Sequence, residues 1–119
     1  MSGIKYLLDT NIIIGMYEHN QAVIQLFQSN NATLSECAYS AITRMELLGF
    51  PNITENEIQF ISDLLKQMTH IGIDQIVEET TIQLKQQYRM KLPDAMIFAT
   101  AKTNDLELLT LDKRIANKL

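Results

Sequence analysis

The chain has 119 residues, which fits one domain over 1–119, and its hydrophobic share of 46% is enough for a packed core. Only 4 Gly and 2 Pro argue against a disordered or linker-rich chain, and no run of about 18 apolar residues exists to cross a membrane. A net charge of −4 and a pI near 5.0 argue against a simple nucleic-acid binder, because phosphate contacts need Lys or Arg. The single Cys37 excludes an internal disulfide, and no Cys/His cluster has zinc-site spacing. The N-terminus has no basic stretch followed by a long apolar run, so a cytoplasmic protein is expected.

Lys5 to Leu8 is a short apolar run that predicts a buried strand ending at Asp9. Asn11 to Met16 begins a helix, and Gln21 to Gln28 carries Val23, Leu26 and Phe27 at helical spacing. Cys37 to Ser40 reads as a second strand, followed by a helix through Leu48 that Gly49 and Pro51 stop. Thr54-Glu55-Asn56-Glu57 is a capping box for a helix with Ile58, Ile61, Leu64 and Leu65 on one face. Thr69 to Ile73 predicts a third strand. Asp74 then caps a helix through about Arg89, with Ile76, Val77, Thr80 and Leu84 on its inner side. Pro93 opens a helix over Asp94 to Lys102, Leu106 to Leu111 forms the last strand, and Lys113 to Leu119 a terminal helix.

Strands alternating with helices imply an α/β fold, with a parallel sheet between two helical layers. Ligands in such sheets bind beyond the carboxyl ends of the strands. Asp9 and Asp112 stand at the ends of the first and last strands, while Glu46 and Asp94 are expected in the first turns of helices that start at the same edge. Each has apolar neighbours, where a carboxylate is costly unless it is paired or binds a metal. Four converging carboxylates make chemical sense around a divalent cation, which points to metal-dependent hydrolysis of phosphate esters.

Three of the four acids also have a purely structural reading. Asp9, Asp94 and Asp112 are all placed to cap helices. Glu46 has no such role, and Arg44 faces elsewhere on its helix. Asp74 follows a strand too but is assigned to capping. His19 and His70 have no partner at ligand spacing. Among the bases, Lys85, Arg89 and Lys91 precede Asp94, and Lys113 and Arg114 follow Asp112.

Read together, four motifs resemble those of the PIN-domain ribonucleases, and most closely the VapC-like toxins of toxin–antitoxin pairs. They are Tyr6-Leu7-Leu8-Asp9-Thr10-Asn11, the Ser40-x-x-Thr43-x-x-Glu46-Leu47 helix, Leu92-Pro93-Asp94-Ala95-Met96-Ile97-Phe98-Ala99-Thr100-Ala101, and Leu109-Thr110-x-Asp112. The resemblance implies a three-layer α/β/α sandwich with four to five short parallel strands. It implies an acidic pocket of Asp9, Glu46, Asp94 and Asp112 that holds Mg²⁺ or Mn²⁺, with Thr10, Asn11 and Thr110 as supporting polar residues. The implied activity is endoribonuclease cleavage by activated water, leaving a 5′-phosphate and a 3′-hydroxyl. The implied partners are RNA, transfer RNAs among them, a VapB-like antitoxin, and a second copy in a homodimer. The chain departs from the family's usual pattern after Asp112, where it continues Lys113-Arg114-Ile115-Ala116.

Two rival readings are a catalytically silent PIN-like binding module and a receiver-type Mg²⁺-binding signalling domain. The receiver needs adjacent acids after its first strand, and Asp9 stands alone.

Overall fold

A computed structural model describes residues 3–112 and Arg114. The chain runs β1 (Tyr6–Leu8), α1 (Thr10–Tyr17), α2 (Gln21–Asn30), a 3₁₀ turn (Leu34–Glu36), β2 (Cys37–Ser40), α3 (Ala41–Leu48), α4 (Glu55–Lys66), β3 (Thr69–Ile71), α5 (Gln75–Gln87), α6 (Leu92–Thr103) and β4 (Glu107–Leu109). The four described strands are all parallel and lie in the order β3-β2-β1-β4. Tyr6 pairs with Cys37 on one side and with Glu107 on the other, which puts β1 in the middle.

The sheet is covered on both faces, so β1 is apolar at successive positions rather than alternately. Leu7, Ala38 and Leu108 point into a core with α5 and α6, built from Val77, Leu84, Ala95, Phe98 and Ala101. Leu8, Cys37, Tyr39 and Leu109 point the opposite way, into a core with Ile12, Ile13, Val23, Leu47 and Leu65 of α1 to α4. The period of two along each strand sorts these residues into two layers of helices around one sheet. This is the expected three-layer α/β/α arrangement.

Several boundaries differ from the sequence expectation, each for a local reason. The third strand pairs only through Ile71, because Gly72 and Ile73 turn towards Asp74, whose side chain accepts from Val77 N–H at 2.9 Å. The last strand is three residues long. Leu106 N–H is held by Ala101 O, and Thr110 leaves the ladder to bond a side chain in β1's extension. The buried stripe of α5 is Val77, Thr81 and Leu84 at helical spacing, so Ile76, expected inside, is 63% exposed. α6 starts at Leu92, two residues earlier than expected, with Pro93 in its first turn. The capping box of Thr54 and Glu57 is present. The terminal helix expected over Lys113 to Leu119 lies outside the described residues apart from Arg114.

No described helix is long and apolar enough to cross a membrane. The buried Cys37 thiol is pushed up to about 11 by burial, which makes it a packing residue rather than a nucleophile.

Gly15 sits inside α1 where α2 comes closest. A Cβ there would run into the Cγ2 of Val23, which is 2% exposed and has a stiff branched side chain. Gly→Ala inside a helix ordinarily adds up to about 1 kcal/mol of stability. Overpacking a filled site costs about 1–3 kcal/mol, and here that effect wins. We expect Gly15→Ala to lower the urea midpoint of unfolding. A midpoint equal to or above wild type would show that the α1–α2 contact has room for a methyl group.

Candidate active site

The strand order reverses direction between β1 and β4, since the chain first builds outward through β2 and β3 and then returns to the far side of β1. Open parallel sheets form their ligand crevice beyond the strand ends at such a switch point. Asp9 follows β1 at that point, and Thr110 follows β4. Asp9 N–H continues the ladder by donating to Leu109 O at 2.9 Å.

Asp9 is only 5% exposed. Its Oδ1 accepts from Thr10 N–H at 2.7 Å, so it does cap α1. Its Oδ2 accepts from the Thr110 hydroxyl at 2.6 Å. Burial raises the Asp9 pKa above the ordinary carboxylate value, the two hydrogen bonds oppose that rise, and the charges of Asp94 and Asp112 add to it. Asp94, in the first turn of α6, and Asp112, beyond β4, therefore share the electrostatic neighbourhood of Asp9.

Thr110 is the hub of this edge. Besides donating to Asp9, its hydroxyl accepts from Asp112 N–H at 2.9 Å and lies 3.5 Å from Asn11 Nδ2. Asn11 Oδ1 accepts from Leu111 N–H at 3.2 Å. These contacts tie the first turn of α1 to the segment after β4, across about a hundred residues of sequence.

Glu46 joins from α3. Its Oε1 accepts from the Thr10 hydroxyl at 2.9 Å, and that hydroxyl shares a second hydrogen bond with Thr43 Oγ1 at 3.0 Å. The apolar neighbours of Glu46 suggest burial in the sequence, but the side chain is exposed. The buried side of α3 is Thr43 and Leu47, four apart, which turns Met45 and Glu46 outward. Thr43 has no assigned role in the sequence motif, yet it is fully buried and anchors Thr10. Its signal was a polar residue on the apolar face, three positions before Glu46. Arg114, singled out in the sequence only as a base that follows Asp112, contacts it directly. It forms an ion pair with Asp112, with Nη2 to Oδ2 at 3.2 Å.

Among the described residues, no group of three or more His, Cys, Asp or Glu is close enough as it stands to hold a metal ion. The donor chemistry still suits a hard divalent cation. Asp9 meets two like charges, its carboxylate partners are hydroxyl and amide donors rather than a base, and Mg²⁺ is commonly held by only one or two carboxylates with water and phosphate completing its shell.

Residues 6–118 match the family model of the PIN domain. The chain belongs to the PIN domain family, whose members are nucleases that generally use divalent metal ions. Among solved structures it is similar to a toxin–antitoxin complex from Klebsiella pneumoniae, with 32% identity, 92% of this chain and 88% of that chain covered, and a TM-score of 0.78. A DNA-bound VapBC from Salmonella typhimurium has 22% identity over 96% of this chain and 91% of that one, with a TM-score of 0.78. FitAcB from Neisseria gonorrhoeae has 24% identity over 92% and 89%, with a TM-score of 0.72. These last two show the shared fold alone. No curated protein matches the chain.

The raised Asp9 pKa has a sign that can be checked. A carboxylate whose folded pKa lies above its unfolded value costs stability once it ionises, and regains it as pH falls through the folded pKa. In EDTA, Asp9→Asn should therefore melt at or above the wild-type temperature at neutral pH. That advantage should shrink as pH falls through the raised folded pKa and vanish below the ordinary value of 3.8. A variant that melts well below wild type at neutral pH would show that the charged form is the better fit.

Proposed function

We propose that this chain is a Mg²⁺- or Mn²⁺-dependent endoribonuclease and the toxin of a VapBC-type toxin–antitoxin pair. The observation that carries this reading is Asp9, a buried carboxylate held at the sheet's switch point by Thr110, with Asp94 and Asp112 in its field. The family match and the likeness to the Klebsiella pneumoniae complex support it.

Asp9 and Asp94 would hold the cation, with Glu46 and Asp112 binding it directly or through water. When bound, the cation supplies charge neutralisation for the phosphate and acidity for an attacking water. Thr110 and Thr10 fix the rotamers of Asp9 and Glu46, as outer-shell groups do around metals. Asp94 or Glu46 accepts the proton of the attacking water. Water attack in line at phosphorus breaks the bond to the 3′-oxygen and leaves a 5′-phosphate and a 3′-hydroxyl. No histidine is required.

A cleft of about 640 Å³ begins at Thr10 and Glu46 and runs past Ile14, Tyr17, Phe50 and Ile61. Phe50 is 67% exposed, and Glu18 and Glu57 add further acids to the cleft wall. Such a surface, apolar with an acidic rim, favours an apolar protein segment carrying a basic residue over a polyanion. It supports an antitoxin as the partner that occupies the cleft and reaches the acids with a guanidinium. A homodimer and a cytoplasmic setting complete the reading.

Total RNA incubated with wild type and with Asp9→Asn in Mg²⁺, Mn²⁺ or EDTA tests the activity, with cut ends mapped by sequencing. Metal-dependent cuts bearing 5′-phosphates, made by wild type alone, are expected. Ends bearing 2′,3′-cyclic phosphate would overturn the water mechanism, and an absence of cuts by folded, antitoxin-free, metal-loaded protein would favour a silent binding module.

A further inference from the structure

Arg114 occupies a position that the proposed reaction does not use. Its guanidinium meets Asp112 twice, with Nη2 to Oδ2 at 3.2 Å and Nε to Oδ1 at 3.4 Å, and its backbone N–H donates to the same Oδ1 at 2.9 Å. Asp112 N–H bonds Thr110, and the Thr110 hydroxyl bonds Asp9, so Arg114 is three hydrogen bonds from the buried carboxylate. The charge of Asp94 acts on Arg114 as well. Among the described residues, Arg114 is the basic side chain that forms an ion pair with one of the four acids, the other described pair being Lys5 with Glu36. Lys85, a base that precedes Asp94 in sequence, instead closes the α5–α6 turn by donating to Met90 O at 3.1 Å.

Exposure decides whether this pair is a lock or a resting place. The Arg114 side chain is 85% exposed, and an ion pair that open to water is screened and adds little to stability. The planar fork that fits a carboxylate fits a phosphate equally well. Exchanging Asp112 for a phosphate therefore costs the guanidinium little. The need for a cation is plain, since an RNA strand brings negative charge to a site that already holds Asp9, Glu46, Asp94 and Asp112 in a chain of net charge −4.

We infer that Arg114 is an RNA-contacting residue, held on Asp112 until a strand arrives and then paired with a backbone phosphate beside the acids. This rests on the nuclease reading above.

The test is fluorescence anisotropy with a short fluorescein-labelled single-stranded RNA of mixed sequence. It is run in Ca²⁺ over a salt series, with a denaturing gel to confirm that the RNA stays intact. Wild type, Arg114→Ala and Arg114→Lys are compared. Arg114→Ala should reduce the slope of log affinity against log salt by about 0.7, the value of one single-strand phosphate contact. Binding should weaken alike for RNAs of different sequence, Arg114→Lys should keep the slope, and Arg114→Ala should melt as wild type does. In Mg²⁺, Arg114→Ala should raise KM more than it lowers kcat. Wild type that binds RNA beside an Arg114→Ala variant with an unchanged slope would overturn the Arg114 role and leave the nuclease reading standing. Wild type that binds no RNA would remove both.

Discussion

A carboxylate buried where the sheet reverses its order is the constraint around which this molecule is organised. Asp9 is 5% exposed, and a charge so placed is costly unless its oxygens are satisfied. Thr10 N–H and the Thr110 hydroxyl take one oxygen each. Thr110 can reach Asp9 only because β4 pairs beside β1, and β4 arrives there only after α6 has carried Asp94 past the same edge. Two short strands in register thus place Asp9 in the electrostatic field of Asp94 and Asp112.

The second tie works through hydroxyls rather than charges. Thr43 is buried in α3 and shares a hydrogen bond with Thr10, which donates to Glu46. Glu46 is exposed, so its position depends on that hydroxyl and not on packing. Thr10 and Glu46 also line the apolar cleft, so whatever fills the cleft lies against Glu46. On the proposed function, a partner in that cleft and a substrate at the acids would compete for one place, which is a direct physical route to inhibition.

Much of the fold was legible because its signals are local. Cys37 to Ser40, the helix from Ala41 to Leu48, and the capping box at Thr54 stand where composition and spacing put them. The ends of β3 and β4 were not legible, because they depend on pairing at a sheet edge and on side chains such as Thr110 and Asn11 that bond across the fold. Ile76 was misjudged because an apolar residue at the start of a helix can face either way until the neighbouring layer decides. The four candidate acids were read from their motifs. The burial of Asp9 against the exposure of Glu46 was not, because burial belongs to the packed layers. Thr43 was passed over since a threonine on a helix has common, unremarkable roles, and the pairing of Arg114 with Asp112 was not legible because it depends on how the chain turns after β4.

Anomalous diffraction from crystals soaked in Mn²⁺ is the most direct test of why the acids are gathered. A peak within coordination distance of both Asp9 and Asp94, absent in Asp9→Asn, is the predicted result. Ordered Mn²⁺ elsewhere in the crystal, with none between Asp9 and Asp94, would contradict a metal-centred site and leave the buried carboxylate as a cap alone.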